Sequence, residues 1–161
     1  SINFSLTEEI IQCIQVFSYK ARKANVEIIF NPLENISTYG DAIKFSQVVM
    51  NLVSNSIDAC EMSKDNNKKK KVEIVLWKKN KMAYLTIEDN GSGIKEENLE
   101  KVWDPFFTTK GFDKGTGIGL SSTKNIIEKI FNGHISINTE VGKGTKFKIR
   151  FLLKDIIKKS E

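Results

Sequence analysis

Residues 47–60 read QVVMNLVSNSIDAC. At about 100° per residue, Phe45, Val48, Val49, Met50, Leu52, Val53, Ile57, Ala59 and Cys60 wrap most of a helix, leaving Gln47, Asn51, Ser54, Asn55 and Asp58 to one stripe. A solvated face normally carries Lys, Arg and Glu. This stripe carries amides, a hydroxyl and one carboxylate, which suits a polar ligand held inside the protein. Its plainer reading is a set of buried amides tying the helix to a neighbouring loop. DNGSGI (89–94) follows a strand, with a carboxylate at Asp89 and two glycines, Gly91 and Gly93, that permit backbone angles and close approaches a Cβ would forbid. Alone it also reads as an ordinary Asn-Gly turn. GTGIGL (115–120) opens a helix, and exposed amides at such a glycine-rich helix start suit a phosphate. It is not a dinucleotide fingerprint, because FTTKGFDK stands where that motif needs a strand. Nor is GKGT (142–145) a P-loop, since Ile137 occupies the place of the first glycine.

These segments need elements to position them. LTEEIIQCIQVFSYKARKAN (6–25) has helical periodicity with Thr7 as its N-cap. Short strands follow at 26–31 and 36–40, and Asp41 caps the long helix. KVEIVLWKK and KMAYLTIED alternate as an antiparallel hairpin hinged at Asn80. From Asn90 to Gly119 the chain is irregular apart from a short helix near 96–101, and long irregular stretches inside compact domains are usually functional. A helix from Gly119 to Phe131 leads to strands HISINTE and GTKFKIRFLL, and the tail DIIKKSE is expected to fray. Helices and antiparallel strands mix without strict alternation. The expected fold is therefore an α/β (α+β) two-layer sandwich: a mixed, mainly antiparallel sheet covered on one face by about three helices.

With 161 residues, 40% of them hydrophobic, the chain suits a single domain, 1–161. Its first residue is Ser1, which suggests a piece of a longer protein. No apolar run approaches the roughly 18 residues of a membrane span, so no direct membrane insertion is expected. Cys13 and Cys60 fall in apolar helical patterns and read as reduced thiols of a cytoplasmic protein. The single histidine, His134, cannot build a zinc site. The net charge of +5 comes mostly from lysine clusters at 68–71 and 78–81, which lack the interleaved aromatics of a nucleic-acid platform; no nucleic acid is expected as a partner.

Taken in order, NLVSN on a helix, DNGSG after a strand, DPFFTTK and GTGIGL resemble the catalytic and ATP-binding domain of sensor histidine kinases, a branch of the Bergerat-fold (GHKL) ATPase superfamily. NLVSNSIDA resembles the family's N box, DNGSGI its first glycine box, DPFFTTK its F box, GTGIGLSS its second glycine box and VGKGTKF a weaker final one. The resemblance implies ATP and Mg²⁺ as cofactors. It makes Asp89 the acceptor for the adenine amino group, Asn55 an oxygen ligand of Mg²⁺, and Asn51 a neighbour of the phosphates. Gly115, Gly117 and Gly119 become a mobile lid, and Lys110 a cation for the γ-phosphate. The catalytic set is then Asn51, Asn55 and Lys110; Asp58, Gly91, Gly93, Ile94, Phe107, Thr109, Ile118, Leu120 and Thr145 join the residues around the nucleotide. Phe106 and Phe107 read either as core at the base of the lid or as a surface that docks another domain.

Two departures refine this. The superfamily's water-using ATPases carry Glu where this chain has Asn51, and Asn is no general base near neutral pH. Many histidine kinases carry Lys where this chain has Asp58, which resembles a variant subgroup and shifts weight to Lys110 or Lys114. The resemblance implies transfer to a histidine on a helical dimerisation domain of the same kinase, upstream of Ser1, with a response regulator downstream. His134 lacks the helical context of that acceptor. The isolated domain is expected to be monomeric and cytoplasmic, although the full-length kinase could be membrane-anchored. Rival readings are a serine kinase of the anti-sigma-factor type, a non-catalytic nucleotide-binding interaction module, and a hydrolytic ATPase.

Overall fold

The computed structural model describes residues 1–107 and 119–158. Strand β1 (Ile2–Ser5) leads directly into helix α1 (Leu6–Lys23). Ser5, not Thr7, is the N-cap: its hydroxyl accepts from the Glu8 amide at 3.0 Å. Thr7 is two residues too far in, and its buried hydroxyl instead donates to the Glu34 carbonyl and accepts from the Ile36 amide. Glu8 and Glu9 in the first turn and Lys20, Arg22 and Lys23 in the last oppose the helix dipole. Asn25, in the left-handed region at φ 56°, turns the chain into β2 (Val26–Phe30). β3 (Ser37–Gly40) precedes α2 (Ala42–Met62), whose N-cap Asp41 accepts from the Lys44 amide at 3.0 Å as expected.

β4 (Lys70–Lys79) and β5 (Met82–Asp89) form the expected hairpin, with Asn80 at φ 58° in its two-residue turn. A short α3 (Glu96–Leu99) follows, then α4 (Gly119–Asn125). The latter runs on as a π-helical turn, Ile126–Ile130, in which the Phe131 amide reaches back five residues to the Ile126 carbonyl at 3.1 Å. β6 (His134–Glu140) and β7 (Gly144–Leu152) complete the chain's regular structure.

The main sheet has the order β2-β4-β5-β7-β6; only β2 and β4 run parallel. Alternation decides its two faces. Val72, Ile74 and Leu76 of β4 and Ala83, Leu85 and Ile87 of β5 are buried against the helices, while Val75 and Trp77 stay partly exposed, Trp77 stacked on Tyr84 at 5.3 Å. α1, α2 and α4 cover the inner face, the sandwich that the sequence predicts. α2 is the central rod: Val48, Val49, Leu52, Val53 and Ile57 are fully buried, each contributing on the order of 2 kcal/mol.

A second, two-stranded sheet pairs β1 with β3, and β1 has no counterpart in the expected elements. Its residues also hold the tail, expected to fray, as far as Ile157; residues 159–161 lie outside those described. Thr38 exchanges hydrogen bonds with the Lys154 backbone, and the Asn3 side chain both accepts from the Ile157 amide and donates to its carbonyl.

Candidate functional site

The polar stripe of α2 faces a cleft of about 770 Å³. Asn51, Ser54 and Asn55 line it from α2, Asp89, Gly93 and Ile94 from the end of β5 and the turn beyond, and Thr145 from β7. Phe107, Gly119 and Leu120 close a further side. Among the described residues, the sequence candidates other than Asp58 and Gly91 therefore converge on one cavity. Its apolar wall was not foreseen: Ala59, Met62, Val102, Val141 and Phe147 also line it. Part of that wall was readable, since Ala59 and Met62 continue the stripe one and two turns past Asn55.

Asp89 is 4% exposed at the floor. Burial pushes its carboxyl up to about 6, and nearby Glu88 adds to the rise. The amides of Gly91 (2.9 Å) and Thr145 and the Ser56 hydroxyl oppose that shift by favouring the charged form. Ser56 lies beside the carboxylate, and its buried Oγ makes no hydrogen bond within normal limits. A buried acceptor-rich carboxylate next to an unsatisfied hydroxyl is a site built for a polar ligand or an ordered water. Neighbouring Asn90 faces away, bonding Lys69 and Lys71 at the start of β4.

The glycines do what the DNGSGI pattern requires. Gly91 lies so close to α2 that a Cβ would strike the Ala59 backbone, and Gly93, at φ +75°, abuts the Glu140 carbonyl. The floor is tied together by Thr139, which the sequence did not single out. Its hydroxyl accepts from the Ile94 amide at 2.9 Å, and lies 2.8 Å from the Thr145 hydroxyl.

Asn51 does two things. It lines the cleft, and its Nδ2 donates to the Gly119 carbonyl and to Thr123 Oγ1, both at 3.3 Å, fastening α2 to the start of α4. The plainer reading of the stripe thus holds for part of this amide, and for Gln47, which bonds Ser122. Asp58, expected among the nucleotide-holding residues, is not on the cleft wall. It sits on the side of the stripe nearer α1, where Oδ1 meets Lys20 Nζ at 2.8 Å. Phe106 is 74% exposed, which excludes it from the core; Phe107 is half-buried. Thr108, Thr109, Lys110, Lys114, Gly115, Gly117 and Ile118 lie outside the described residues. Those described include no cluster of three or more His, Cys, Asp or Glu able to hold a metal.

Residues 40–155 match the family of histidine kinase-, DNA gyrase B-, and HSP90-like ATPases, and the chain belongs to it. Sporulation kinase A of Bacillus subtilis is 38% identical over 133 residues, covering 80% of this chain and 20% of its own length. Hybrid signal transduction histidine kinase A of Dictyostelium discoideum is 33% identical over 95% of this chain and 8% of its own. The chain thus spans a fifth or less of either relative. Among solved structures, the catalytic domain of histidine kinase ThkA superposes with a TM-score of 0.80 at 30% identity, over 94% of this chain and 95% of that one. The fold is that of a histidine kinase catalytic domain.

Proposed function

We propose that this chain is the phosphoryl-donor domain, 1–161, of a two-component histidine kinase: it binds Mg-ATP in the cleft and gives the γ-phosphoryl group to a histidine on a separate helical dimerisation domain. The observation that carries this is the convergence of buried Asp89 with Asn51 and Asn55 on one cavity. Ionised Asp89 accepts from the adenine 6-amino group, with the Ser56 hydroxyl completing the polar end. Val102, Val141 and Phe147 sandwich the base and exclude water. Asn51 and Asn55 stand farther along α2, where the phosphates would lie. Mg²⁺ suits the single amide oxygen of Asn55, because it keeps several waters and takes its remaining ligands from phosphate; bound there it neutralises charge on the transferred group. Lys110 and the lid residues Thr109, Gly115, Gly117 and Ile118 complete the donor side.

Transfer to an external histidine is favoured over hydrolysis because Asn51 cannot activate water. A neutral imidazole needs no base. The chain's own His134 is a poor acceptor. It pairs with Arg150 on β7, five residues from the Asp89 partner Thr145, roughly 17 Å away along the strand. Histidine kinase ThkA has been solved in complex with a response regulator, at 28% identity and a TM-score of 0.76, which supports a response regulator as the next partner here. Exposed Phe106 suits contact with the helical domain. Buried, free Cys13 and Cys60 fit a reducing, cytoplasmic setting. Incubation with γ-labelled ATP tests the proposal: label should pass only to an added histidine-bearing helical domain, and label on His134 would contradict it.

A further inference from the structure

Lys20 belongs to α1, no residue of which lines the cleft. Its Nζ nevertheless reaches across to α2, 3.0 Å from Ser54 Oγ and 2.8 Å from Asp58 Oδ1. Ser54 lines the cleft between Asn51 and Asn55. The Lys20 side chain is 35% exposed and that of Asp58 16%, and a pair with one partner partly open to solvent contributes modestly to stability, about 1 kcal/mol.

The placement has a direction. The base-binding end of the cleft is fixed by Asp89, whose turn packs on Ala59 of α2 through the Ser92 amide. Asn51 lies eight residues nearer the start of the same helix, roughly 12 Å away. A nucleotide laid along α2 therefore brings its phosphates to the level of Asn51 and Ser54, beside Lys20. The α2 stripe itself offers amides, a hydroxyl and a carboxylate there, but no cation. An ammonium has three protons, and Ser54 and Asp58 engage two. The third is available to a phosphate oxygen.

We propose that Lys20 is a phosphate-binding residue of this site, delivered from α1 and held in place by Asp58 and Ser54. The inference rests on the Mg-ATP reading above. Asp58 is then a positioning residue: one carboxylate orients the ammonium, and the several charges of a triphosphate draw it further towards the cleft.

Calorimetric affinities for Mg-ATP and for adenosine, each with the thermal midpoint, test this on three chains: unmutated, Lys20→Met, and Lys20→Met combined with Asp58→Lys. Lys20→Met should weaken Mg-ATP about ten-fold, the size of one charge-assisted hydrogen bond, and leave adenosine unchanged. The double variant returns an ammonium from α2 itself and should recover most of the loss. Unchanged Mg-ATP affinity in Lys20→Met, or equal losses for Mg-ATP and adenosine, overturns the inference alone. Failure of the unmutated chain to bind either ligand overturns the nucleotide site, and this inference with it.

Discussion

The amide of Ser92 donates to the carbonyl of Ala59 at 3.0 Å, fastening the turn after β5 to the last third of α2. That bond is possible only because residue 91 has no side chain; a Cβ there would meet the Ala59 carbonyl and the Cys60 amide. Gly91→Ala should therefore cost about 1–3 kcal/mol of unfolding free energy through overpacking against backbone that cannot yield. Urea titration followed by circular dichroism measures it. A loss below a few tenths would show that the turn is not seated on α2.

The raised pKa of Asp89 fixes a stability trend of known sign. Unfolded, the carboxyl releases its proton near 3.8; folded, burial holds the proton up to about 6. Between those values the native state binds more protons, so this group's contribution to stability falls as pH rises through that window and stays low above it. The full penalty is on the order of 3 kcal/mol. Asp89→Asn lacks the titration, so its stability relative to the unmutated chain should improve between pH 4 and pH 7. A stability difference that is flat across that range would contradict the burial argument.

Phe106 separates a packing role from a docking role. A core phenylalanine truncated to alanine costs roughly 3–5 kcal/mol, but this ring is 74% exposed, on a backbone held at φ 67°. Such conformations in bulky residues are retained where the surroundings enforce them and tend to mark functional sites. Phe106→Ala should leave the thermal midpoint and Mg-ATP affinity nearly unchanged, yet slow phosphoryl transfer to an added helical domain about ten-fold. A large drop in midpoint with normal transfer would restore the packing role.

Much of this was legible because period and chemistry agree locally. Asp41 capping α2, the left-handed Asn80 and the two faces of the β4–β5 hairpin follow from neighbouring residues alone. So does the cleft's polar wall, since Asn51 and Asn55 stand one turn apart and Asp89 ends a strand. What was missed depends on contacts between distant segments. β1 exists because β3 and the tail at Ile157 pair with Asn3, which no local pattern records. The cap moved from Thr7 to Ser5 because the Thr7 hydroxyl was needed by Glu34 and Ile36. Asp58 looked like a site residue from its place on the stripe. Only the packing of α1 against α2 reveals Lys20 as its partner. Val141, which lines the cleft, and Thr139, which bonds its Ile94, stayed hidden for the same reason, as they come from the other end of the chain.

Calorimetric titration of Mg-ATP into the unmutated chain and into Asp89→Asn bears most directly on whether buried carboxylate and amide stripe hold one nucleotide. The unmutated chain should bind in the micromolar range, more weakly as pH falls below about 6, where the carboxyl becomes protonated. Asp89→Asn should bind at least ten-fold more weakly at pH 7.5 and show no such pH dependence. Equal affinities for the two chains at pH 7.5 would remove Asp89 from the site and the account built on it.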